Sequence, residues 1–239
     1  MSRLPLVAAF LAAVSLAAGC SHASTRSKAN PCASARAAAA ARIAHDVLHG
    51  DVNGDGVPDR VALVRLRRGE SRCGAFLVVR AGGRTLTHAL RTTPSSPLVP
   101  SLNGLAALGS RPGLAIVVTT WEGASTAFAR VFAVREGRVF AFATRTPDGT
   151  FPYEGSVTHI DAIDCAGPLV VASGWFLRGT TGHSFGFFRH FYRVGTDRFQ
   201  LVRSESGTSR SPFPPRRRLR EFMEPQPFPS CMRARGAAA

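Results

Sequence analysis

Short apolar runs separated by turn-forming residues characterise the chain from His45 to Val202. Clusters of Gly, Pro, Asn and Asp divide the runs, which is typical of β-strands joined by turns. No part of this region keeps a helical apolar period over several turns. The pattern predicts an all-β domain over 45–202, built on the runs Val61–Val64, Phe76–Val79, Ala115–Val118, Val131–Val134, Leu169–Ala172 and Phe187–Val194.

An internal repeat is visible at a shift of 54 residues. The shift carries Val61–Val64 onto Ala115–Val118 and then onto Leu169–Ala172. It also pairs Trp121 with Trp175, and this match carries weight because the chain contains only two tryptophans. Extra residues lengthen the third unit. We predict three propeller-blade-like repeats of about 54–60 residues in a small or incomplete β-propeller, with a β-sandwich as the alternative.

The segments on either side of this domain differ from it in composition. Residues 1–19 combine a positive start with an apolar run that has the length of a signal-peptide core and is short for a membrane-spanning helix. Residues 20–44 are rich in Ala and Ser and contain no acidic residue, which predicts a tether. Residues 203–239 are rich in Pro and Arg, which predicts an extended tail rather than a central strand.

Small residues precede a cysteine at the end of the first segment, in the order Leu16-Ala17-Ala18-Gly19-Cys20. This resembles the bacterial lipoprotein signal, although Ala17 stands where that signal usually has Leu. The resemblance implies an extracytoplasmic protein that is anchored to the membrane by lipid attached to Cys20. Ordinary cleavage at an Ala-rich site, which would leave Cys20 as a plain thiol, is the alternative.

If Cys20 carries lipid, four cysteines remain. All four can then pair in two disulfides, as expected in an oxidising compartment. None of them has the Cys-x-x-Cys spacing typical of zinc sites. Of three possible pairings we favour the one in which each bond ties a terminal segment to the nearer part of the core. The predicted disulfides are Cys32–Cys73 and Cys165–Cys231.

The sharpest chemical motif is the loop from Asp51 to Asp59, which reads Asp-Val-Asn-Gly-Asp-Gly-Val-Pro-Asp. Side-chain oxygens stand at loop positions 1, 3, 5 and 9, and this spacing can fold a short loop around a hard cation such as calcium. The loop is not an EF-hand, because Ala62 replaces the bidentate Glu at position 12 and an apolar strand follows. An acidic turn that stays solvated and metal-free is the alternative.

The motif together with the strand that follows it resembles the FG-GAP repeat, which also occurs in VCBS-type repeat proteins and integrin propellers. The resemblance is specific over Asp51–Val64. It implies a loop between two strands of a blade that holds one structural Ca²⁺. The implied ligands are Asp51, Asn53, Asp55, the Val57 carbonyl and Asp59. The other two units lack most of these oxygen donors, so we predict one site rather than three.

No arrangement of residues points to catalysis. The seven histidines are scattered without a His-Glu-x-x-His motif, and the turn at Ser125 lacks the frame of a serine nucleophile. We therefore predict a non-catalytic binding or structural module, with a hydrolase of unrecognised site as an alternative. The polar, Gly-rich insertion Arg178–Ser184 is the candidate contact loop. Aromatic residues around Trp175 form either a core or an exposed platform.

The net charge of +15 is concentrated outside the β region. The tether carries four basic residues and no acids, and the tail carries eight arginines against three glutamates. Such segments favour contact with anionic lipid headgroups or a cell-wall polymer. Nucleic acid is therefore an unlikely partner, and an anionic-polymer binder is a further alternative function.

Overall fold

Fourteen β-strands account for nearly all regular structure in the described residues. The structure is a computed structural model, and it describes residues 32, 36, 39, 47–65, 74–90, 100–146, 148–156, 158–179, 184–210 and 226–235. The strands are β1 Val47–Gly50, β2 Asp59–Arg65, β3 Ala75–Ala81, β4 Arg84–Leu90, β5 Ser101–Ala106, β6 Ala115–Glu122, β7 Ala127–Arg135, β8 Arg138–Ala141, β9 Phe151–Ser156, β10 His159–Ala166, β11 Leu169–Arg178, β12 Ser184–Val194, β13 Phe199–Ser209 and β14 Met232–Arg235. The predicted all-β class is confirmed.

The strands form three antiparallel meanders of four strands each. The first meander, β1 to β4, is a separate sheet, whereas the middle meander (β5 to β8) and the third meander (β10 to β13) belong to one ten-stranded sheet. The three runs aligned by the shift of 54 residues lie in β2, β6 and β11, each of which is the second strand of its meander. The repeat in the sequence therefore corresponds to equivalent strands.

Strand β9 joins the middle and third meanders by pairing with each in turn. Its first half, Phe151–Tyr153, pairs with β7, and its second half, Glu154–Ser156, pairs with β10. Glu154 lies at the change of partner and has a φ of 68°, a left-handed conformation that side chains other than glycine seldom adopt. The backbone thus turns at Glu154 where the strand changes partner.

The middle meander is apolar on both faces, and the core has two parts for that reason. Val117 and Val131 pack into a cluster shared with the third meander, whereas Ile116 and Phe132 pack into a cluster shared with the first. Successive side chains of a strand point to opposite faces, so neighbouring residues enter different clusters. The middle meander therefore lies between the other two.

The C-terminal segment closes the cluster between the middle and third meanders. Phe228 is fully buried there, and its amide donates to the Ile163 carbonyl at 2.8 Å. The Ser230 amide and hydroxyl both donate to the Asp164 carboxylate, and β14 then pairs with β5. This segment connects the edge of the middle meander to β10.

A disulfide reinforces this connection. Cys165 on β10 is bonded to Cys231 at a sequence separation of 66, which is the predicted pairing of the C-terminal segment with the core. Cys32 is also disulfide-bonded. Its predicted partner Cys73 lies outside the described residues.

The predicted domain boundary at residue 202 falls inside β13, which continues to Ser209. The strand's second half is polar and largely exposed, because β13 is the edge of its sheet. Polar residues on an edge strand do not produce the apolar pattern on which the boundary was placed.

A buried hydroxyl chain gives a prediction about the middle meander. Thr119 is fully buried, and its Oγ1 lies 2.6 Å from the Tyr153 hydroxyl and donates to Asn103 Oδ1 at 2.8 Å. Tyr153→Phe removes one partner from this buried chain, so it should lower the free energy of unfolding by about 1–2 kcal/mol. The measurement is urea unfolding followed by tryptophan fluorescence.

Tyr192→Phe is the matched control for this substitution. Both tyrosines are 5% exposed, but within the described residues the Tyr192 hydroxyl forms no hydrogen bond. We expect the control to change stability much less. Equal losses in the two variants would contradict the assigned role of the hydroxyl chain.

Candidate functional site

The acidic loop joins β1 to β2 and is held by hydrogen bonds between its own backbone and side chains. Asp59, the first residue of β2, is only 4% exposed. Its Oδ2 accepts hydrogen bonds from the Val52 amide at 2.9 Å and the Asn53 amide at 3.2 Å. The Asp59 carboxylate therefore closes the base of the loop.

The carboxylates of Asp51 and Asp55 organise the exposed part of the loop. Asp51 accepts from the Gly54 amide at 2.6 Å and from the Gly56 amide at 2.9 Å. Asp55 Oδ1 accepts from the Val57 amide at 2.8 Å. Side-chain oxygens thus satisfy backbone N–H groups that no strand partner reaches.

Asn53 and Asp55 are joined by reciprocal hydrogen bonds. Asn53 Nδ2 donates to Asp55 Oδ2 at 2.7 Å, and the Asp55 amide donates to Asn53 Oδ1 at 2.9 Å. The hydrogen bond from Asn53 lowers the pKa of the Asp55 carboxyl, and the bond from the Val57 amide adds to the effect. Asp55 is therefore ionised at neutral pH.

The loop rests on the turn between β5 and β6 of the middle meander. The Leu114 amide donates to the Asp51 carbonyl at 2.7 Å. Gly54 has a φ of 84°, and a Cβ at this position would lie 2.8 Å from Pro112 Cβ. Glycine is therefore required here for both conformation and space. The shift of 54 residues pairs Pro112 with Pro58, so equivalent turns of two repeats touch.

The five predicted calcium ligands all lie in this one loop, and their donor chemistry suits a hard cation. Each of the three carboxylates accepts two N–H bonds, which leaves lone pairs available on every carboxylate. Asp59 Oδ1 accepts no hydrogen bond from a described residue, although the side chain is buried. In the described ranges, no group of three or more His, Cys, Asp or Glu side chains is arranged as a metal site. The structure therefore shows the donors in one loop without showing them converged.

A second polar cluster surrounds His159, one of the histidines that the sequence left without a role. Its Nε2 lies 2.7 Å from Thr126 Oγ1, and its Nδ1 lies 3.2 Å from Ser156 Oγ. The Asp161 carboxylate lies 3.9 Å from Nε2. A catalytic relay needs a carboxylate hydrogen-bonded to the histidine ring, but Asp161 at 3.9 Å is beyond hydrogen-bond distance and Thr126 occupies the nitrogen that it approaches.

The sequence contained part of the signal for this cluster. His159 and Asp161 are two residues apart on β10, so they face the same side of the sheet. Thr126 comes from the β6–β7 turn, and no local pattern links it to β10.

The aromatic residues around Trp175 are divided between core and surface. Trp175, Phe185, Phe191 and Tyr192 are buried, as the core interpretation expects. Trp121 and Phe176 are exposed by 38% and 39%. Residues 180–183 of the predicted contact loop Arg178–Ser184 lie outside the described residues.

Comparisons with known proteins gave no match to a protein-family model, to a curated protein or to a solved structure. In the part of the chain that the structure describes, no helix is long and apolar enough to cross a membrane. Residues 1–19 and Cys20 lie outside that part.

The loop geometry predicts unequal costs for removing two of its carboxylates in metal-free buffer. Asp59→Ala leaves two amides at the base of the loop without an acceptor and should cost about 2–3 kcal/mol of unfolding free energy. Asp55→Ala should cost clearly less, because Asp55 is exposed and water can replace its contacts. Urea unfolding in the presence of EDTA measures both values. A larger cost for Asp55→Ala would contradict this account.

Asp161 gives a prediction about pH. Burial raises its pKa to about 6, and nearby His159 partly offsets the rise. The folded state therefore binds the Asp161 proton more readily than the unfolded state, so this group's contribution to stability falls as pH rises from about 4 to about 6. Asparagine does not titrate, so the unfolding free energy of Asp161→Asn should lack this loss. Relative to wild type, it should rise by about 2 kcal/mol between pH 4 and pH 6. Urea unfolding at pH 4, 5, 6 and 7 tests this, and a difference that does not vary with pH would refute it.

Proposed function

We propose that this protein is a non-catalytic calcium-binding module of the FG-GAP/VCBS type. Its role is to bind a partner or to support structure outside the cytoplasm, and it is anchored to the membrane through lipid on Cys20. The observation that carries the calcium proposal is that four side chains with oxygen donors share one loop, and that Asp59 Oδ1 accepts no hydrogen bond from a described residue and is not fully buried. A carboxylate oxygen that no protein donor engages keeps its lone pairs for a hard cation.

The position of the loop supports the same proposal. It joins the first and second strands of a four-stranded meander, the place that the FG-GAP resemblance implies. Asp51, Asn53 and Asp55 contribute further side-chain oxygens, and the Val57 carbonyl is a fifth donor. Calcium would neutralise the repulsion among three carboxylates within nine residues. Its role would be structural, since it would tie the loop to β2.

The arrangement of the meanders supports a blade-like interpretation. Each has four consecutive antiparallel strands, and the middle one is covered on both faces. We propose that they are three blade repeats of an incomplete propeller whose edges stay open. A layered β-sandwich is the alternative architecture for the same pairings.

The disulfide supports export, which both the calcium and the lipid proposals require. The Cys165–Cys231 disulfide is of a kind that persists in oxidising compartments. Calcium modules outside the cell bind with dissociation constants of about 0.1–1 mM. A membrane anchor on Cys20 would hold the basic tether 20–44 close to anionic headgroups.

Calcium should raise the thermal stability of the wild-type protein. With 10 mM Ca²⁺ in place of EDTA we expect the Tm to rise by about 5 °C, because the ion binds only the folded loop. Asp55→Ala should lose most of this rise. Differential scanning calorimetry measures both effects.

Asp197→Ala is the matched control, since Asp197 lies in the turn between β12 and β13 with its side chain 49% exposed. It should keep the full calcium response, and Mg²⁺ should produce a smaller response than Ca²⁺. A Tm that does not change between calcium and EDTA in the wild type would refute the proposal. An equal response in Asp55→Ala and wild type would refute the ligand assignment.

A further inference from the structure

A cleft of about 160 Å³ lies where the middle meander meets the third, away from the calcium loop. One wall is formed by β12, through Phe188, His190 and Tyr192, and the opposite wall by the segment Thr144–Thr146. Phe151 and Ala172 are among the residues that complete the lining. A volume of this size has room for one six-membered ring.

The wall on β12 is aromatic because alternate residues of a strand share one face. Phe188 and His190 are stacked with their ring centroids 4.9 Å apart, and Tyr192 follows with its ring edge towards His190. Gly174 lies opposite Phe188 on β11, and any Cβ there would overlap the Phe188 ring. The lack of a side chain at Gly174 leaves room for this ring beside β11.

The opposite wall is held in place before any ligand arrives. Ala143 is bonded to the β12–β13 turn, as its amide donates to the Asp197 carbonyl and its carbonyl accepts from the Phe199 amide, both at 2.9 Å. Thr146 Oγ1 lies 2.7 Å from Thr144 Oγ1 and donates to the Thr150 carbonyl. These bonds fix the segment that carries Arg145.

The charge of the cleft is positive and unbalanced. None of its lining residues is acidic, and within the described residues Arg145 forms no ion pair or hydrogen bond. Burial lowers the pKa of His190, and the charge of Arg145 lowers it further, so His190 is neutral at pH 7. Arg145 is therefore the charged group of the cleft.

Tyr192 adds a polar group that the protein leaves without a partner. The side chain is 5% exposed and lines the cleft, but its hydroxyl bonds to no described residue. The hydroxyl oxygen is not among the fully buried polar atoms, so a molecule in the cleft can reach it. Water or a ligand in the cleft can supply the missing partner.

We infer that this cleft binds a small planar organic anion, a one-ring carboxylate. The ring would stack on the aromatic wall of β12, and the carboxylate would pair with the Arg145 guanidinium. The Tyr192 hydroxyl would donate to the same carboxylate. Carbohydrate is disfavoured, because no Asp or Glu lines the cleft to accept from sugar hydroxyls. The inference is independent of the calcium proposal.

Benzoate is the probe, and benzyl alcohol is its uncharged counterpart of nearly the same size. Binding is measured from chemical-shift changes of backbone amides in ¹H–¹⁵N NMR titrations of the full chain. We expect benzoate to bind about tenfold more tightly than benzyl alcohol, because only benzoate can form a charge-assisted hydrogen-bond pair with Arg145. The shifts should concentrate at residues 144–146 and on β12.

Arg145→Gln should weaken benzoate binding about tenfold and leave benzyl alcohol unaffected. Arg193→Gln is the control, because Arg193 is exposed on the same strand and does not line the cleft. Its benzoate affinity should equal that of wild type. The inference is overturned if benzoate does not bind at 20 mM, if both probes bind equally, or if the two arginine variants behave alike.

Discussion

The burial of both faces of the middle meander is the constraint on which the rest of the structure depends. An antiparallel sheet often has one face in water, but β6 and β7 place apolar side chains on both. Such a sheet is stable only between two other apolar layers. The first meander provides one layer and the third provides the other. The order of the repeats along the chain is thus also their order in space.

Both candidate sites lie at boundaries between these layers. The acidic loop of the first meander is bonded to the Leu114 amide of the middle one. The cleft forms where the segment after β8 faces β12 of the third meander. Each site is therefore preorganised by contacts that also hold the layers together. Phe228 and the Cys165–Cys231 disulfide keep the middle and third meanders in place around the cleft.

Local patterns in the sequence predicted much of the fold and one site. The runs that alternate with Gly and Pro became strands, and the 54-residue shift identified β2, β6 and β11 as equivalent. The loop from Asp51 to Asp59 was recognisable because its donors lie within nine residues. The His159 cluster was not, since Thr126 is 33 residues from His159. The boundary at 202 fell inside β13 because an edge strand can be polar on both faces.

The sequence by itself determined the strand-forming runs, their repeat, the oxygen donors of the loop and the parity that permits the Cys165–Cys231 bond. These features depend on residues close in the chain or on a count of residue types. Only the tertiary structure decided which meander is central, that Asp59 is buried, and that Arg145 faces Tyr192. Those features depend on contacts between distant segments, where the burial of apolar faces, rather than local conformational preference, selects the neighbours.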